Sequence, residues 1–175
     1  TLPLTLFPYT TLFRSRRKYD LPAELRMPKL EDEAARERNY VGNVDWVMSD
    51  IIVATSADQT PVAPGKVVSD RIEGDRRVVR FQSTNPILGF FSIQSADYSA
   101  TKKQHDGIEL EIYHHPTHAF NAERMLDAMA VSLDYFQKNF GPYQFDYARI
   151  IEFPGYASFA QAFAGTVPYS ERIGF

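Results

Sequence analysis

The sequence predicts a β-rich saddle or sandwich domain over residues 44–118, followed over 119–175 by the opening of an α/β domain. Three observations predict it. Strand-like segments recur from Val44 to His114 with no helical pattern between them, which argues for an antiparallel layer. Near His118 the hydrophobic period changes from two to between three and four. A further β-branched segment, Tyr147–Phe153, then follows a Gly141-Pro142 turn.

The N-terminal stretch stands apart. Thr5–Ser15, TLFPYTTLFRS, matches the translation of a common short-read sequencing adapter, so residues 1–15 are set aside as artefact. They also lack the basic start and small-residue cleavage site of a signal peptide. Residues 16–43 read as a connector punctuated by Pro22 and Pro28, with a short helix over Leu30–Asn39. Acids lead and bases trail in that helix, the polarity the macrodipole favours.

Val44–Thr55 reads as the first strand, and Pro61, Pro64 and Gly65 mark a turn. Lys66–Ile72 and Arg77–Ser83 flank Glu73-Gly74-Asp75-Arg76, a hairpin loop of about four residues. Phe90–Tyr98 is a further strand. In Ile108–His114, Ile108, Leu110 and Ile112 alternate with Glu109, Glu111 and Tyr113, which predicts one buried and one wet face. Asn121 is placed to cap a helix. Met125, Leu126, Met129, Leu133, Phe136 and Phe140 form one apolar stripe, read as core packing, and Gly141 ends the helix. Most of the sheet that covers this helix and Tyr147–Phe153 is expected beyond Phe175. A second strand is expected near Thr166–Glu171.

A chain of 175 residues can hold one domain, or a small domain and part of another. A formal charge of −3 argues against a nucleic-acid binder, which carries a basic face. The absence of cysteine excludes disulfides and thiolate-bound zinc. No apolar run approaches the ~20 residues needed to cross a bilayer.

Few residues suggest chemistry. His114, His115 and His118 cluster in HHPTH, but Pro116 breaks the helical geometry that a zinc-binding His pair needs. The cluster is read as a strand end and turn, and His105 as solvated in a polar loop. No G-x-S-x-G elbow and no G-x-G-x-x-G loop occurs. Glu152 and Glu171 are the acids nearest the candidate site, and each is read as an ordinary strand residue.

The order of segments from Trp46 to Phe175 resembles the aminopeptidase N family of zinc metallopeptidases (gluzincins). The segments are VDWVMSDIIVA, PGKVVSD, RVVRFQSTNPILGFFSIQSADY, GIELEIYHHP and YFQKNFGPYQFDYARIIEFPGY. The resemblance implies a saddle-like β-domain leading into a thermolysin-like catalytic domain, truncated here upstream of the H-E-x-x-H motif. It implies a peptide substrate and a Zn²⁺ ion whose ligands lie beyond Phe175, so that this fragment alone is inactive. It is similar in particular to a bacterial branch joined to an ABC-transporter-type permease, which implies membrane-spanning segments in the parent protein. The family's G-A-M-E-N positions fall on Phe159, Ala160, Gln161, Ala162 and Phe163, so the glutamate that binds the substrate amine is replaced by Ala162. Gln161, Ala162 and Phe163 are then expected as substrate contacts, with Gly155 and Tyr169 shaping the approach. The loss of that glutamate keeps open an alternative, a non-catalytic peptidase-like binding or scaffold domain of a transporter-type membrane protein.

Overall fold

A computed structural model describes residues 17–21, 31–36 and 45–174. The chain divides into two units, Thr1–Asn43 and Val44–Phe175. In the first, the described residues include a short helix, α1 (Glu33–Arg36), inside the expected Leu30–Asn39. The adapter-like segment lies outside the described residues.

Among the described residues the second unit carries eleven strands: β1 (Trp46–Val47), β2 (Asp50–Ser56), β3 (Thr60–Val62), β4 (Lys66–Glu73), β5 (Arg76–Gln82), β6 (Ile87–Leu88), β7 (Gln94–Ala96), β8 (Ser99–His105), β9 (Ile108–His114), β10 (Tyr147–Phe153) and β11 (Thr166–Ser170). Helix α2 (Ala122–Phe140) joins β9 to β10 after a 3₁₀ turn, Ala119–Asn121, and α3 (Glu171–Gly174) follows β11. β2-β5-β4 form an antiparallel sheet, and β1–β6 and β3–β7 form two small pairs. The fourth sheet has the order β11-β10-β9-β8, with β9, β10 and β11 parallel and β8 antiparallel.

Several elements differ from expectation for identifiable reasons. Val44–Thr55 is two strands, because the chain bends at Ser49, whose N–H donates to Ser83 Oγ at 2.7 Å; β1 pairs with β6 and β2 with β5. The β4–β5 turn is two residues long, since Glu73 and Arg76 already pair. Of Phe90–Tyr98 only Gln94–Ala96 pairs as β7. The polar segment Ser99–His105 is a strand that the apolar pattern did not reveal. It lies at the sheet edge, where lysines are favoured. Its turn into β9 is Asp106-Gly107, both with positive φ (48° and 82°), the signature of a two-residue hairpin. His105 is half-buried in that strand and bonds Asp134 Oδ1 at 2.6 Å, so it is not merely solvated.

β9 has no wet face. It lies between β8 and β10, and Glu111, Tyr113 and His114 are buried along with its apolar residues. On one side Ile108, Leu110 and Ile112, with Ala148 of β10, pack under Ala122, Leu126, Ala130 and Leu133 of α2. The opposite side carries Tyr113 and Ile151, which pack on Val62 of β3. Helix α2 therefore covers a sheet built from this chain's own strands, contrary to the expectation that most of that sheet lies further on. Leu126 and Leu133 of the expected stripe are buried, whereas Phe136 and Phe140 are exposed and pack on each other, and Phe140 packs on Tyr135 as well. Asn121 makes no capping bond. Its side-chain amide instead donates to the Gly174 carbonyl at 2.9 Å, which ties the start of α2 to α3.

Candidate functional site

In an open sheet of parallel strands, the carboxyl ends of the strands diverge into loops and leave a crevice where ligands bind. Here β9 ends at His114, β10 at Phe153 and β11 at Ser170, and the residues that follow converge. After β9 a turn leads through His115 to His118; after β11, Glu171 opens α3. Alternation along β10 puts Glu152 on the same face as Ala148 and Ile150, toward α2.

The side chains meet there. His118 Nδ1 lies 2.5 Å from Glu152 Oε1, and the His115 backbone N–H donates to Glu152 Oε2 at 2.7 Å. Glu152 is only 5% exposed. Glu171 Oε1 accepts the Gly155 N–H at 2.5 Å. The Tyr98 hydroxyl donates to the Glu152 carbonyl at 2.9 Å, and burial first, then the charge of Glu152, pushes that phenol up to about 12. These groups line a cavity of about 280 Å³. His114 takes no part in it: buried at the end of β9, its ring nitrogens face Thr101 Oγ1 and the His115 carbonyl.

The five residues expected at a site occupy three places. Gly155 is held against Glu171, where a Cβ would stand 2.6 Å from Glu171 Oε1. Gln161, Ala162 and Phe163 lie on a segment that runs antiparallel beside β11, with bridges Ala160–Tyr169 and Phe163–Thr166. The Gln161 N–H donates to Pro168 O at 3.1 Å, the Phe163 N–H to Thr166 O at 2.8 Å, and Ser170 N–H to Phe159 O at 3.1 Å. Residues 159, 161 and 163 thus bond inward, and the backbone of Ala160 and Ala162 faces outward. Gln161 and Ala162 are exposed, and the Phe163 ring packs against Phe90 at 5.1 Å. Tyr169 lines a separate apolar groove of about 410 Å³ beside α2, with Met125, Met129 and Ile150.

Sequence reasoning named His118, Glu152 and Glu171 one at a time and missed their meeting. His118 and Glu152 stand 34 residues apart, with no local signal to link them.

No family model matches this chain, and no curated protein matches it. Its fold is similar to that of a solved structure, the M1 zinc metallopeptidase from Deinococcus radiodurans, with a TM-score of 0.62 and 13% sequence identity. The likeness covers 72% of this chain and spans 30% of that protein's length. At this identity it shows the fold: a β-rich chain shaped like part of an M1 peptidase. Zinc belongs to the structural neighbour by its description. The residues here do not supply the helical His pair of the expected motif, because α2 carries no histidine and H-E-x-x-H occurs nowhere in the sequence.

Proposed function

We propose that this chain is the substrate-edge portion of a zinc-metallopeptidase-like protein, and that it receives an extended peptide by strand addition along residues 159–163. The observation that carries this reading is the outward-facing backbone of Ala160 and Ala162 on a segment already bonded to β11. Such an edge offers donors and acceptors to an incoming strand, while flanking side chains set preference. Gln161 Nε2 donates to the Ala162 carbonyl at 3.2 Å, so the side chain covers one outward acceptor that a peptide has to displace. In this reading residues 44–118 form the saddle-like part and 119–175 open a thermolysin-like part, with β9 serving as the sheet partner of β10.

The test is peptide binding by an Ala162→Pro variant. Proline removes an outward N–H and leaves the inward bonds of Gln161 and Phe163 in place. Binding of an extended peptide is expected to be lost while the fold is retained. Unchanged binding would remove the edge from the proposal.

A second reading, a non-catalytic binding domain, is favoured by one observation. Ala162 stands where the resemblance puts an amine-binding glutamate, and the neighbouring Gln161 is neutral. An amide gives an ammonium a weaker bond than a carboxylate does.

A further inference from the structure

We propose that His118, Glu152 and Glu171 bind one divalent transition-metal ion of the zinc or cobalt class. One ligand atom from each lies within 4.8 Å of the others. Neighbouring ligands around a tetrahedral zinc at ~2.1 Å stand about 3.4 Å apart, so small side-chain rotations close the set on an ion. One imidazole nitrogen with two carboxylate oxygens suits such ions better than a hard cation that prefers oxygen alone.

The charge balance points the same way. Two carboxylates share this space, one of them almost completely buried. Among the described residues neither forms an ion pair with a lysine or arginine, and the only ionisable partner is His118. Arg172 lies close by without pairing: its Nε and Glu171 Oε1 both approach the point where a Cβ of Gly155 would stand, at 2.8 and 2.6 Å. Buried carboxylates that lack a cation are costly, and a bound metal is one of the ordinary ways proteins neutralise them.

The backbone also holds the donors ready. The His115 N–H fixes one oxygen of Glu152 and the Gly155 N–H one oxygen of Glu171. The second oxygen of Glu171 makes no hydrogen bond to a described residue and is available to an ion. Glu152 lies in β10, and His118 and Glu171 lie on the segments that leave the carboxyl ends of the two strands flanking it. The cavity of about 280 Å³ leaves room for water or a ligand in the remaining coordination position.

The experiment is calorimetric titration of the 175-residue chain with Zn²⁺, together with the visible absorption of added Co²⁺. One ion per chain is expected, with the intense visible bands of a four-coordinate Co²⁺ site. Glu171→Gln keeps an oxygen for the Gly155 N–H and so preserves the fold, which circular dichroism checks. It is expected to weaken binding on the order of 10- to 100-fold, and His118→Ala at least as much. His105→Ala, which removes the imidazole of the separate group His105, Asp106 and Asp134, is expected to change nothing. A wild-type chain with no saturable Zn²⁺ binding overturns the proposal. So does an affinity that Glu171→Gln leaves unchanged.

Discussion

Arg149 of β10 and Glu111 of β9 stand opposite each other in register and form an ion pair in which both side chains are almost wholly buried, at 4% and 2% exposure. Lys102 of β8 adds a third charge, its Nζ 2.5 Å from Glu111 Oε1. The Arg149 guanidinium also donates to the carbonyls of Gly65 at 2.8 Å and Ala63 at 3.2 Å, and it stacks on the Tyr147 ring. The pair therefore clamps the loop after β3 onto the mixed sheet.

Glu111→Gln is expected to destabilise the protein strongly. It leaves a buried guanidinium without its counter-charge, a change that typically costs about 3–5 kcal/mol. Urea unfolding measures it, and a loss within experimental error would mean that Arg149 finds another partner.

Acid should weaken the same clamp. Burial pushes the Glu111 carboxyl up, but the charges of Arg149 and Lys102 outweigh it and hold it below the usual carboxylate range. A group lowered in the folded state contributes stability that is full above its unfolded value, about 4.3, and is lost as pH falls through the folded one. The melting temperature should therefore drop below about pH 4 with a slope that Glu111→Gln reduces. Equal slopes in both proteins would assign the acid loss to other groups.

Gly65→Ala is expected to cost more than about 1 kcal/mol. Gly65 has φ +98°, and a Cβ there would meet the Gln82 carbonyl carbon at 2.3 Å. Both the strain and the clash fall on backbone, which cannot move aside as a side chain can. Chemical denaturation tests this, and a neutral result would show that the loop shifts.

Ala162→Glu places a carboxylate at an exposed edge position. Its effect on stability should stay within about 0.5 kcal/mol, as for other surface substitutions. It should raise affinity for peptides with a free amino terminus over their N-acetylated forms, because a carboxylate forms a charge-assisted bond with ammonium. Equal affinities for the two peptide forms would show that residue 162 does not face the peptide's amino end.

The sequence by itself determined the elements whose signals are local. The apolar period of α2 marked the helix to Phe140, and β-branched runs marked β5 and β10. Gln161, Ala162 and Phe163 were singled out only through the resemblance, and their pairing beside β11 came from the structure. β8 was not, because an edge strand needs no apolar residues and Lys102 and Lys103 disguised it. Only the tertiary structure decided that Ile108–His114 is a central strand, since its neighbour Tyr147–Phe153 arrives after a whole helix. The same holds for the meeting of His118, Glu152 and Glu171. One lies in β10 and the others on the segments that follow β9 and β11, and parallel pairing, a long-range arrangement with no sequence period of its own, brings those strand ends together.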